Sequence, residues 1–279
     1  GRAAAGFEWL ESLPAETRQS PVLTAAGSEA ALQIQDWPRL RQLLLAGAWG
    51  NVPPGAINAA FALRDNRRGG QTDPTQWNAV VDACQTSLPS LRAILRLTEA
   101  WRWPDEQRQV LFAITRAFAA ETWAWRQLIS MALAQGDADQ VWQIYQRWSR
   151  AVPGDFIVQV ETAIMGNLLQ QKGAPGPAVT AELMRTQANN AGATVAHALA
   201  LWRARRTEEA VTLLGNLPPS AFAEPRYALA YGLILADAGR ARESERLLDR
   251  ASVERLLPAE LLFVEQARAR NRLRLGATP

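Results

Sequence analysis

The sequence predicts an all-α chain built as a stack of helical hairpins. Three observations carry this expectation. Ala, Leu, Arg, Glu and Gln dominate while β-branched runs are scarce, which favours helix over strand. Gly, Pro, Asp and Asn punctuate the chain at intervals of roughly 12 to 20 residues, where helices would start or stop. The chain also resembles itself at a fixed step, the sign of a repeat architecture.

The elements follow in order. Helices are expected near 22–35, 36–48, 54–66, 73–86, 88–102, 104–119, 121–135, 137–151, 154–172, 175–190, 192–204, 206–216, 222–238, 240–251 and 258–273. A short amphipathic piece over Phe7–Leu13 precedes them. Connections are short, so neighbours should pack antiparallel. Fifteen similar short helices in 279 residues fit a solenoid better than a closed bundle. Four segments are expected: residues 1–20 as an N-terminal piece, 21–120 as degenerate hairpins, 121–257 as clearer repeats, and 258–279 as a capping helix and tail.

Self-similarity is clearest from Tyr227 to Ala251. Gly232 lies inside the first helix of that unit, Gly239 at its turn, and Ser244 inside the second helix, followed by Leu248 and Ala251. Thirty-four residues upstream of Ser244 stands Ala210, followed by Leu214 and Leu217, and Ala198 likewise matches Gly232. A third unit, Trp125–Pro153, has Leu128 three residues on, Gly136–Asp137 at the turn, then Tyr145 and Trp148. A fourth has Gly166 in its first helix, Gly173 at the turn and Ala178 in its second. Upstream the pattern is looser: 21–49 again reads helix, Asp-containing turn, helix, and 88–119 can turn at Trp103-Pro104-Asp105.

In these residues the chain resembles the tetratricopeptide repeat family, well over 121–257 and loosely over 21–120. It is also similar to tetratricopeptide-like proteins of bacteria. The resemblance implies a right-handed α-solenoid of about seven hairpins, with a C-terminal capping helix, that binds a protein or peptide along a concave face and catalyses nothing. Register then names the exposed residues of the first helices: Trp123, Arg126 and Ser130; Asn167, Gln170 and Gln171; Trp202 and Arg203; Arg226 and Asp237. Amides can bond an extended backbone, guanidinium a carboxylate, and indole an apolar side chain. Asn167 falls on the first Asn of the clamp by which chaperone-binding members hold a terminal carboxylate. Ala163 stands where that clamp has Lys, which argues against a heat-shock-chaperone adaptor.

Chemistry is thinly represented. His197 is the only histidine and falls where repeats pack a large residue, aligned with Leu128 and Tyr231. Cys84 is the only cysteine, which excludes an intramolecular disulfide and reads as a small core residue. One His and one Cys cannot build a structural zinc site, and no phosphate loop, His-Glu-x-x-His or nucleophile elbow occurs. No cofactor or metal is therefore expected. Gly173-Ala-Pro-Gly-Pro177 lacks a following Lys and Ser/Thr and reads as a turn.

Charge is close to balanced: 30 Lys and Arg against 27 Asp and Glu give a net +3. All the basic residues but Lys172 are arginine, which fits a GC-rich bacterial genome. Acids are interleaved with the arginines, so nucleic acid is the lesser partner expectation. It would use arginine on phosphate and tryptophan for stacking. A further alternative is a structural subunit of a larger assembly. The C-terminal Arg268, Arg270, Arg272 and Arg274 spread around their helix and fit a polar cap. Of the 11 tryptophans, Trp125 and Trp148 match core slots, while register leaves Trp101, Trp103, Trp123 and Trp142 open between core and surface. Residues 42–63 are uncharged but interrupted by Gly50–Gly55, so no membrane span is expected. The cytoplasm is the expected compartment. A periplasmic location requires a signal or anchor upstream of Gly1.

Overall fold

Proline opens most of the helices, because its fixed φ suits the first turn and its missing N–H costs nothing there. The computed structural model describes residues 6, 8–10, 12–18, 20–68, 74–251 and 256–276. Among them lie fifteen helices of eight residues or more: α1 Pro21–Gln33, α2 Trp37–Leu45, α3 Pro54–Arg68, α4 Pro74–Cys84, α5 Leu88–Trp101, α6 Pro104–Ala117, α7 Thr122–Ala134, α8 Ala138–Ala151, α9 Phe156–Leu168, α10 Pro177–Thr186, α11 Ala191–Arg203, α12 Thr207–Gly215, α13 Pro225–Asp237, α14 Ala241–Leu248 and α15 Pro258–Arg274. Two four-residue helical segments, Ala15–Arg18 and Ala48–Asn51, and a 3-10 turn at Pro219–Ala223 accompany them. The expected piece at Phe7–Leu13 falls partly outside the described residues, and its remainder is helical at several positions.

The chain divides into two compact units, residues 1–128 and 129–279. The division falls within α7.

The turns show the repeat more sharply than the side chains do. Gln35, Arg102, Gly136, Gln170, Arg205 and Gly239 all have positive φ, between 53° and 83°. From Arg102 onward they recur at steps of 34, 34, 35 and 34 residues. Gln35 stands 67 residues before Arg102, and residue 69, one 34-residue step after Gln35, lies outside the described residues. At each of the six, the N–H of the positive-φ residue reaches the carbonyl three back. The next N–H reaches the carbonyl five back, at 2.8–3.1 Å. This is the Schellman ending of a helix, which satisfies carbonyls the helix leaves open. Asp36 and Asp137 follow directly and cap the next helix, accepting from the N–H of Arg39 at 3.2 Å and of Gln140 at 2.9 Å. Gln35 and Arg102 of the first unit therefore share their turn geometry with the four turns downstream.

Glycine suits the left-handed position, as at Gly136 and Gly239. An L side chain there costs roughly 1–2 kcal/mol. Four of the six turns nevertheless carry Gln or Arg.

Packing in the second unit follows the expected pairs. Ala210, Ser244, Ala198, Leu214 and Leu248 are fully buried. A Cβ on Gly232 would stand 2.7 Å from Leu248 Cδ2, so this contact needs a glycine. Ser244 Oγ donates to the Gly232 carbonyl at 2.8 Å, and Asn271 of α15 donates to Ser244 Oγ at 2.9 Å. The 34-residue step thus relates Ala198 and Ala210, both fully buried, to Gly232 and Ser244, which meet where α13 and α14 cross. Buried Glu260 locks the start of α15, accepting from Leu257 N–H at 2.7 Å and pairing with Arg226 at 3.3 Å.

In the first unit, Gly47, Trp49, Gly50 and Asn51 all have positive φ. This left-handed stretch breaks the uncharged segment where the Gly/Pro run predicted. No described helix is long and apolar enough to cross a membrane.

Candidate functional site

The second unit holds a cleft of about 400 Å³ beside the turns that end α9 and α11. Its walls bring together four residues picked out by register, Gln170, Trp202, Arg203 and Asp237. It adds Arg205 from the turn, Leu233 of α13, and Phe263, Gln266 and Arg270 of α15. The α15 residues come from a helix read only as a cap, so the sequence offered no signal for them. Arg205 was passed over because register assigned the site to helix faces, while the fold delivers it from a left-handed turn.

Each side chain there has a definite setting. Trp202 is half-buried and its Nε1 donates to Asp237 Oδ2 at 2.7 Å. Asp237 Oδ1 pairs with Arg270 at 3.1 Å. Arg203 lays its guanidinium over the end of α9, with Nη1 2.9 Å from the Gln171 carbonyl and Nη2 3.4 Å from that of Gln170. These bonds fix Arg203 in place. Arg205 is exposed. Three guanidinium groups and one carboxylate line the cleft, alongside the amides of Gln170 and Gln266 and the apolar bodies of Trp202, Leu233 and Phe263.

Asn167 requires a correction. It is 2% exposed, and its Nδ2 donates to the carbonyls of Ala163 and Pro175, both at 2.9 Å. It holds the loop after α9 onto that helix and does not face a groove. The expected helix over 154–172 ends at Leu168, so Gln170 and Gln171 lie in the turn, not on a helix face. Gln171 donates to Asp139 at 3.1 Å. Arg226 is engaged by Glu260.

On α7, Arg126 and Ser130 are exposed and Trp123 is half-buried. The Trp123 Nε1 donates to Glu121, and Arg92 stands 5.1 Å above its ring while pairing with Glu121 at 2.7 Å. Of the other open tryptophans, Trp142 is 5% exposed and packs on Gly166, while Trp101 and Trp103 are half-buried.

The residues of interest for chemistry are occupied structurally. His197 is half-buried, with Nδ1 2.9 Å from Thr180 Oγ1. Burial and nearby Arg206 push its pKa down, with Glu209 opposing. Cys84 is buried, and burial raises its thiol pKa to about 11, so little thiolate forms at neutral pH. Among the described residues no group of three or more His, Cys, Asp or Glu could hold a metal ion. Along α15, Arg268 pairs with Asp249 at 2.8 Å, Arg270 with Asp237, and Arg274 with the Ala236 carbonyl, leaving Arg272 exposed. The C-terminal arginines are mostly committed to the fold.

Among the described residues the chain is an all-helical repeat, whose helix-ending turns recur every 34 or 35 residues from Arg102 to Gly239. No protein-family model matches the chain, and no curated protein matches it. Among solved structures it is similar to the crystal structure of the yeast Tom70, at 13% identity and a TM-score of 0.33. The match covers 98% of this chain and 59% of that one, so the chain spans less than two thirds of the Tom70 structure.

Proposed function

We propose that the chain is a binding module, not an enzyme, and that the cleft of its second unit takes a peptide segment of a protein partner. The observation that carries this reading is the convergence of Gln170, Trp202, Arg205 and Gln266 on one cleft. Two amides can bond a peptide backbone, an indole can carry an apolar side chain, and Arg205 can reach a carboxylate. The settings of His197 and Cys84 support binding over catalysis. His197 is tied to Thr180, and the Cys84 thiol is held in the core, so neither is placed for proton transfer or attack.

A random peptide library displayed on phage and selected against the full chain tests the proposal. Selected peptides should bind the wild type and lose affinity by about tenfold or more in Trp202→Ala, which removes one anchor worth roughly 1–2 kcal/mol. A selection that enriches nothing, or peptides indifferent to Trp202→Ala, rejects this cleft as the site.

A further inference from the structure

The first unit holds a second cleft, of about 310 Å³, lined by Trp37, Arg64, Arg67, Trp101, Arg102 and Trp103 together with Gln35. We propose that it binds an acidic peptide segment, with Arg67 and Arg102 engaging carboxylate side chains while the indoles carry an adjoining apolar residue. This site is independent of the cleft in the second unit and does not rest on it.

The charge of the walls is one-sided. Three arginines line this cleft and no acid does. Asp65 and Glu106, which pair with Arg64 at 3.1 Å and Arg67 at 2.8 Å, are not among the lining residues. Arg102 is exposed and makes no ion pair among the described residues. An occupant that complements this wall is anionic.

The guanidinium groups are also preorganised. Arg64 lies 4.5 Å above the Trp37 ring and Arg67 4.5 Å above the Trp103 ring. Stacking of this kind fixes the plane of the guanidinium, and Arg67, which pairs with Glu106 through Nη1, has further N–H groups that can bond a second carboxylate. The indoles are braced in turn. Trp101 meets Phe61 edge-on at 5.4 Å and lies tilted against Trp103 at 4.9 Å, and Trp77 braces Trp103 edge-on at 6.0 Å. One face of Trp37 and one of Trp103 are thereby already covered by cations. That favours carboxylate capture over a stack of nucleobases, which needs open ring faces.

Backbone conformation points the same way. Gln35 and Arg102 both occupy left-handed turn positions, φ 60° and 58°, where glycine would fit without strain, and both line this cleft. Gln170 and Arg205 do the same in the second unit. Gly136 and Gly239, at corresponding turns, line neither cleft. Strained backbone of this kind clusters at functional sites, and of the described left-handed non-glycine positions only Trp49 and Asn51 line neither cleft.

The test uses the full chain and a fluorescein-labelled peptide, Glu-Phe-Glu-Glu-Phe-Glu, acetylated and C-terminally amidated so that only side-chain carboxylates are presented. Binding is read by fluorescence anisotropy at low salt. The peptide should bind, its Gln-for-Glu counterpart should bind at least about tenfold more weakly, and added salt should weaken the acidic peptide alone. Arg67→Gln and Arg102→Gly should each reduce affinity by about tenfold. Arg102→Gly should at the same time raise the thermal midpoint by about 2–4 °C, because it relieves the left-handed side chain. A purely structural Arg102 would move stability without moving affinity. Equal binding of the two peptides, or full affinity in Arg102→Gly, overturns the proposal. So does an oligothymidylate that displaces the peptide and depends on the same arginines.

Discussion

Asn167 shows how a residue can be placed correctly in register and still be misread. The sequence put it inside the first helix of its unit, and it is there, but the Pro-rich loop after α9 folds back over it. Both of its N–H bonds are internal, to Ala163 and Pro175. Asn167→Ala should therefore destabilise the fold by about 1–3 kcal/mol, the cost of leaving buried carbonyls unpaired. Urea unfolding of the variant measures this, and unchanged stability would contradict the assignment. His197 was legible as a packed residue, though not its bond to Thr180, which comes from α10. Its folded pKa lies below the unfolded value of 6.5. The unfolded chain then binds the proton more readily, so this contribution is complete above about pH 6.5 and is lost as pH falls through the folded value. Wild type should lose more stability than His197→Asn between pH 7.5 and 5.5 as read by thermal midpoints, and parallel losses would refute it. Cys84 was legible from its apolar neighbours alone. Thiol labelling of the native chain should be slow and should accelerate on unfolding, and rapid native labelling would place it outside the core.

At the scale of elements, helix existence was legible almost throughout because periodicity and proline punctuation agree. Ends were less so. The expected helix over 154–172 overran because Leu169 and Gln170 are good helix formers by composition, while the Schellman turn is imposed by backbone bonds that composition does not encode. The crossing of α13 and α14 depends on Gly232 and Ser244. Gly232→Val should cost about 1–3 kcal/mol, since its side chain would overlap Leu248. Calorimetry of that variant beside Ala198→Gly would separate close approach from helix propensity. A silent Gly232→Val would show that this crossing is looser than described.

For the whole molecule, the repeat was legible in the second half from Ala198, Ala210, Gly232 and Ser244. In the first half it was looser, although the Asp-containing turn of 21–49 and the break at Trp103-Pro104-Asp105 fall beside the observed turns at Gln35 and Arg102. The backbone restores it: the same two hydrogen bonds recur at six turns. The four turn positions that carry Gln or Arg instead of glycine are also positions that line the two clefts. This link between turn and site is the central claim. It is tested most directly by measuring stability and peptide affinity together in the double variant Gln170→Gly/Arg205→Gly, using a peptide selected against the second-unit cleft. The account predicts a chain at least as stable as the wild type whose affinity for that peptide falls by about tenfold or more. A variant that loses stability, or that binds as tightly as before, would show that these side chains belong to the fold and not to a site.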